Sequence, residues 1–462
     1  MSEQADDERL LSPGRRPLTI GLLLVVTGIA FEALATATVM PEVANELHGI
    51  RLYGWAFSAF MLAMLMGVAI AGPLGDRRGP AAPFAVGLVL FGSGLLGAGL
   101  APSMPLLVVA RAVQGAGGGV VFAMAYVAMA MAYPPAARGR LFAVLSSAWV
   151  VPGIVGPAVG GAVAEQFGWR AVFFGLVPVL PVAGALTLPS LRRHQPVPND
   201  EGHDALPVLD AVRLAGGAGL VLGGLAADNR LAGLVAVVIG LVLALPAFLR
   251  LVPPGTLRGA GPLPAAVASR GLLSFAFFGA EAFVPLALTS LRGWTTTEAG
   301  VSLTLAALTW ATGAWVQSRK GTAWGRRRTV GAGFVLVGIG VAAMATILVP
   351  AVPALVAPLA WAVAGLGMGL ASPTTSLIVL EEAPPGRVGR SSAALQLTDT
   401  LGAGLGTGLG GAALSIAVAE GWSRRLGIGV ADGLAVVAVV VGVLASRQLR
   451  GPHDTGEAND SR

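Results

Sequence analysis

The chain has no cysteine, so disulfides, thiolate metal ligands and a cysteine nucleophile are all excluded. Charge is almost as scarce, at 12% of 462 residues. Only four histidines occur, and two of them, His194 and His203, share one polar stretch, which leaves no metal site to assign. A nucleophile triad, a His/Asp metal cluster and a phosphate-binding loop carrying Lys are also missing, which sets aside a membrane-embedded enzyme. No cofactor is implied. The formal charge of +6 does not point to nucleic acid, because the basic residues stand singly or in pairs between apolar runs rather than on one face. Residues Met1–Pro13 are acidic and polar, and the apolar run after them is too long for a signal-peptide core.

What the chain does have is apolar side chain. Hydrophobic residues make up 55% of it, and the mean hydropathy is +0.77. A water-soluble domain needs a polar surface that this composition does not supply. Apolar runs of roughly 20 residues, the length that crosses a bilayer, follow one another nearly end to end. Sixty-six glycines suit such a bundle, since small residues let helix backbones approach. The runs divide into fourteen spans of an all-α polytopic membrane protein. The expected plan is a tail at 1–17, six spans at 18–190, a connector at 191–207 and two further spans at 208–251. A second connector at 252–268, six more spans at 269–446 and a tail at 447–462 complete it. With both termini cytoplasmic, twenty-two of the 30 Lys and Arg fall inside, six fall outside and two lie within spans. That bias is what the positive-inside rule requires. A plasma-membrane location follows from it.

The sequence also matches itself at a spacing of 250. Arg111, Gln114, Gly115, Gly117 and Gly119 correspond to Trp361, Ala364, Gly365, Gly367 and Gly369. Gly156, Gly160 and Gly161 correspond to Gly406, Gly410 and Gly411, and Pro134 and Arg140 to Pro384 and Arg390. Gly75, Arg77 and Arg78 pair with Gly325, Arg327 and Arg328. Spans one to six thus repeat as nine to fourteen, with seven and eight inserted between them. Two six-helix halves of parallel topology are the plan of the major facilitator fold, with its substrate site near the midplane between halves.

Most acidic residues lie outside the apolar runs, but Glu32, Glu281, Asp399 and Asp432 do not. Glu281 is eleven residues from both Arg270 and Arg292, near the centre of its span. Glu32 occupies the outer half of the first span, and Asp399 lies nine residues past Arg390. An unpaired carboxylate in the membrane is costly, so such residues face a bundle interior or a cavity. A carboxyl that titrates near neutral pH can take a proton on one side and release it on the other. A cationic substrate competing for it gives exchange. Glu32 and Glu281 are separated by 249 residues, so the repeat sets them opposite one another at a shared central site. Phe31, Trp55, Phe275, Phe278 and Trp310 are candidate walls for it.

Three motifs carry a family resemblance. Gly72, Gly75, Asp76, Arg77 and Gly79 at the end of span two resemble the loop signature of major facilitator transporters. Arg111, Gln114 and Gly115 resemble that superfamily's second motif, whose arginine is associated with proton transfer. A guanidinium stays charged, so Arg111 would tune a carboxyl, pair with a backbone carbonyl or anchor an interface near its helix start. In span five, Pro152, Gly153, Gly156, Pro157, Gly160 and Gly161 resemble the antiporter motif of drug:proton exporters. Physically this is a kinked helix with one face free of side chains. Trp169 and Arg170 after it fit the same pattern.

Glu32 stands nine residues before Pro41, which resembles the first helix of the fourteen-span drug:proton antiporters. It departs in having Glu for the usual Asp, and Leu34 where Thr is expected. The resemblance covers nearly the whole chain. It implies a monomeric exporter of lipophilic or cationic small molecules, driven by the proton gradient. A symporter or uniporter on the same fold is the alternative, which the span-five motif disfavours.

Overall fold

The computed structural model describes residues 15–133, 150–193, 208–384 and 387–449; the side chains of residues 76, 77, 130, 150 and 322 fall outside that description. The described residues form helices and turns with no strand. A bilayer interior offers no water to backbone groups, so each crossing must satisfy them within itself, and a helix does so.

Among the described residues, sixteen α-helices supply the crossings. The first half contains α1 (Arg16–Glu46), α2 (Tyr53–Arg78), α3 (Ala81–Gly99), α4 (Met104–Ala132), α5 (Val150–Phe167), α6 (Arg170–Leu176) and α7 (Val179–Arg193). An inserted pair, α8 (Val208–Leu225) and α9 (Arg230–Leu251), follows. The second half contains α10 (Pro262–Glu281), α11 (Val284–Arg292), α12 (Thr296–Trp324), α13 (Arg326–Thr346), α14 (Val356–Glu382), α15 (Val388–Ala419) and α16 (Arg424–Ser446). Thirteen stretches of the described residues are long and apolar enough to cross a membrane. Helix α5 stands in the place of the expected fifth span at 141–164, the one expected span missing from those thirteen, and the start of that span lies outside the described residues.

Two crossings are broken. The sixth divides into α6 and α7 at Val177 and Pro178. The ninth divides into α10 and α11 directly after Glu281, where Pro285 opens the second piece. Proline lacks the N–H that would carry a helix through.

The repeat is visible in packing. Gly115 and Gly119 of α4 lie on the Phe60 and Met64 carbonyls of α2, and Gly117 lies against Gly87 and Phe91 of α3. In the second half, Gly365 and Gly369 of α14 lie on the Ala306 and Trp310 carbonyls of α12, and Gly367 lies against Gly333 and Val337 of α13. Helix α14 therefore matches α4 at a spacing of 250, whereas α12 and α13 match α2 and α3 at 246. The turn glycines agree. Gly79 closes α2 with φ 73° and Gly325 closes α12 with φ 79°, a left-handed conformation that glycine adopts without strain. The expected pairing of Gly75 with Gly325 is thus corrected by one helical turn. The longer turn at 347–355, compared with 100–103, restores the 250 spacing.

The halves meet along two seams, α2 with α15 and α5 with α12. On the first, a Cβ at Gly54 would come within 2.5 Å of the Gly411 Cα, Ser58 and Thr407 hydroxyls are 3.2 Å apart, and Gly404 abuts Met61. On the second, Gly161 meets Thr297, Gly153 meets Ala307, and Thr304 donates to the Ile154 carbonyl. The first seam is tightest toward the end of the bundle that carries the α1–α2 turn.

The inserted pair leans on the first seam. Helices α8 and α9 pack through Gly217 on Gly240 and Gly224 on Gly233. Leu222 of α8 is buried against Gly408 of α15, while Trp55 of α2 faces Gly219 and Gly223. The α8–α9 turn touches both halves, since Asp228 pairs with Arg51 and Arg230 lies 3.9 Å from Glu420. At the other end Asp210 is held by Arg250 at 3.3 Å and Arg213 at 3.5 Å. Helix α9 exposes Leu231, Leu234, Val238 and Val242 along its length, the apolar surface a lipid-facing crossing needs.

Candidate transport site

In the first half the site is built from α1 and α4. Glu32 is 1% exposed and Arg111 is 2% exposed, and the two form an ion pair. Charges so far from water are stable only when paired and hydrogen-bonded. Thr36, one turn along α1, donates to Glu32 Oε1 at 2.7 Å. Arg111 Nε donates to the Ala56 carbonyl at 3.1 Å, and Nη1 donates to Gln114 Oε1 at 2.7 Å. Its guanidinium lies 4.4 Å from the Phe60 ring centroid, a cation–π distance that the bare Gly115 backbone allows by drawing α4 onto α2. Glu32 Oε2 and Gln114 Nε2 are buried without a hydrogen-bond partner. The structure thus joins Glu32 of the first-helix motif to Arg111 and Gln114 of the span-four motif. Arg111 takes both a carboxylate and a backbone carbonyl.

In the second half Glu281 ends α10 and is 8% exposed. Trp361 of α14 donates its indole N–H to Glu281 Oε1 at 3.4 Å. Phe277 stacks on Trp361 with centroids 5.2 Å apart, and Trp310 meets Phe277 edge-on at 5.4 Å. Phe278 completes this aromatic wall. Across the seam, the Tyr53 hydroxyl of α2 donates to the Ala282 carbonyl at 2.6 Å, at the break in the ninth crossing. Glu32 and Glu281 were expected to share one centre. Each is instead bonded within its own half.

Asp399 belongs to a different cluster. Ser274 donates to Asp399 Oδ1, and Arg270 Nε lies 3.8 Å from the same oxygen. Arg270 also donates to Ser372 and, at 2.6 Å, to Ser376. Seven residues separate Ser274 from Glu281, about 10 Å along α10. Arg270 itself, expected at the cytoplasmic edge of its span, lies well inside α10, which begins at Pro262.

Of the span-five glycines, Gly153 and Gly161 lie on the seam with α12, while Gly156 and Gly160 pack on α1 within the first half. A Cβ at Gly160 would come within 2.8 Å of the Ala35 Cβ, and one at Gly161 within 2.7 Å of the Thr297 Cα. Gly156 rests on Phe31 and Leu34, and the Pro157 carbonyl faces Gly300. Pro152 and Gly153 lie in the first turn of α5 as described. Gly72 and Gly75 are within helix α2 and not in a loop, and Gly79 makes the turn. The side chains of Asp76 and Arg77 lie outside the described residues. Of the aromatic candidates, Phe278 and Trp310 join the wall by Glu281, Trp55 faces α8, and Phe31 lines an apolar groove of about 400 Å³ among α1, α5, α6 and α7.

Sequence reasoning did not single out Trp361, Tyr53, Thr36, Phe277 or Ser274 as site residues. Trp361 was detectable, because it fills Arg111's place in the repeat.

The model of the Major Facilitator Superfamily matches residues 20–407. The chain belongs to the major facilitator superfamily. Membership places it among transporters rather than enzymes. This facilitator is 30% identical to Multidrug resistance protein 3 of Bacillus subtilis (strain 168) over 171 residues, 37% of this chain and 33% of that protein. The match therefore spans about a third of that relative's length. It is 26% identical over 447 residues to the "Probable multidrug-efflux transporter Rv1634" of Mycobacterium tuberculosis (strain ATCC 25618 / H37Rv), covering 92% of this chain and 93% of that one. Among solved structures, a bacterial homolog to the human lysosomal transporter Spinster, in an inward-facing and unoccupied conformation, superposes with a TM-score of 0.66 at 16% identity. The superposition covers 95% of this chain and 98% of that one, and it shows the shared fold.

Proposed function

We propose that this facilitator is a fourteen-span drug:proton antiporter, exporting lipophilic or cationic small molecules across the plasma membrane as a monomer with both termini cytoplasmic. The observation that carries the reading is Glu281, a buried carboxyl set in an aromatic wall with no basic partner among the described residues. An aromatic cage with one carboxylate suits a lipophilic cation, by cation–π attraction and charge pairing. The Pro/Gly face of α5 at the seam supports exchange by rocking of the halves, since bare backbones let the contact slide or part. The relatives named for multidrug efflux support the substrate class. In the proposed orientation the end of the bundle that carries the α1–α2 turn, where Gly54 meets Gly411, faces outward.

The test is reconstitution into acid-loaded vesicles with ethidium, a lipophilic cation, added outside. Antiport predicts ethidium-evoked proton release that is absent from protein-free vesicles. No substrate-dependent proton flux refutes the proposal, and proton movement in the same direction as ethidium replaces it with symport.

A further inference from the structure

The first crossings of the two halves each carry a buried carboxylate, and the partners of the two differ in kind. Glu32 is met by Arg111 of α4 and Glu281 by Trp361 of α14. Arg111 and Trp361 are the same position of the repeat, as the glycines after them show. Gly115 and Gly119 sit on α2 as Gly365 and Gly369 sit on α12. One position of the repeat therefore meets a carboxylate in each half, with a guanidinium in the first and an indole in the second.

That difference decides which carboxyl can exchange a proton. A guanidinium is charged at every relevant pH. Protonating Glu32 would strand the Arg111 cation, 2% exposed, with only the carbonyl-type acceptors of Gln114 and Ala56 and the Phe60 ring. A buried cation without its counter-ion is the costly outcome. The indole of Trp361 is neutral and donates a single N–H. Glu281 can lose or gain its proton and leave no orphaned cation behind. The exchange is a simple one: the carboxylate takes a proton from water and gives up the N–H···O⁻ bond for a weaker contact, with no covalent bond broken in the protein.

The surroundings of Glu281 also tie it to the seam. Ala282 follows it at the break between α10 and α11, and its carbonyl is capped by Tyr53 from the other half. Parting of α2 from the second half removes that cap and admits water beside Glu281. The other groups on the elements around it are few. Asp432 of α16 is buried, and Trp310 of α12 lies beyond Phe277. Asp399 of α15 is engaged by Ser274 and Arg270. On α13, Arg326 is held by Glu381 and Glu382, while on α11, Arg292 bonds the carbonyls of Val349, Pro350 and Val352.

We infer that Glu281 is the exchanging carboxyl of this transporter, that Trp361 is its positioning residue, and that the Glu32–Arg111 pair is a fixed charge pair that does not carry the proton. The inference rests on the proton-coupled reading above and divides the labour within it.

Infrared difference spectra of the purified full chain, between acid and alkaline buffer, report a protonated buried carboxyl by its C=O stretch. A titrating band is expected that is lost in Glu281→Gln and retained in Glu32→Gln. Trp361→Arg, which copies the first half's pair into the second, should abolish the band, while Trp361→Phe should keep it and move its midpoint. Trp361→Phe guards against Trp361→Arg failing to fold. Arg111→Gln should add a second titrating band from the released Glu32. A band that survives Glu281→Gln, or that disappears in Glu32→Gln or Asp432→Asn, overturns the inference. The vesicle assay separates the two claims. Absent proton flux with the Glu281 band intact removes the coupling reading and leaves the protonation assignment supported. Intact flux with the band assigned to Glu32 removes the assignment alone.

Discussion

Arg111→Met removes the guanidinium and leaves Glu32, 1% exposed, with only the Thr36 hydroxyl on Oε1 and nothing on Oε2. Breaking a buried ion pair from one side costs about 3–5 kcal/mol, because the remaining charge is uncompensated. Glu32→Leu costs a similar amount by stranding Arg111. Replacing both removes both charges, and apolar substitutes for buried pairs come out near neutral or better. The cation–π contact with Phe60 is worth about 0.5–2 kcal/mol and is lost in Arg111→Met and in the double variant alike, so it cancels from the coupling. The cycle therefore predicts a coupling of at least about 3 kcal/mol, with the double variant more stable than either single one. Thermal unfolding of purified protein in one detergent, followed by tryptophan fluorescence, reads the ranking. Additive losses, with the double variant the least stable, would refute a fixed buried pair.

Three more predictions test the seams and the insertion. The chain has no cysteine, so Ser58→Cys with Thr407→Cys introduces a single pair where the hydroxyls now stand 3.2 Å apart; oxidation should cross-link the halves and stop transport, and reductant should restore it. Gly54→Val should hold the same end open, because a Cβ there would meet backbone at 2.5 Å, and spin labels placed on the α1–α2 turn and the α15–α16 turn should show a longer mean separation. Leu222→Ala removes the buried contact of α8 with Gly408 and should cost about 2–5 kcal/mol of local stability, seen as faster amide exchange in α8 than in α4 relative to the unaltered chain.

Much of this architecture was legible in the sequence, because a bilayer forces long apolar helices and the repeat forces two equivalent bundles. Glu32, Arg111 and Gln114 were each readable as buried polar residues in apolar runs, and the fold brought them together. Arg270 was misplaced because a charged residue ends an apolar run by composition, while α10 in fact begins at Pro262 and buries that charge against Ser372, Ser376 and Asp399. The register of spans two and three was read four residues out because glycine-rich segments match at several spacings, and only the left-handed turns at Gly79 and Gly325 discriminate. Trp361 was passed over because an indole in an apolar helix carries no charge to mark it. Its meaning depends on the carboxylate it touches, and a linear sequence does not display that contact. Asp399 was grouped with the central carboxylates by depth alone, and its partners place it elsewhere.

The central claim is that a proton gradient drives this transporter through exchange. The most direct measurement is ethidium movement in reconstituted vesicles whose pH gradient is set in each direction in turn, at zero membrane potential. The account predicts ethidium accumulation in the compartment that begins more acidic, reversal when the gradient is reversed, and collapse when an ionophore equalises the pH. Accumulation that is indifferent to the gradient, or that always follows the protons, would contradict it.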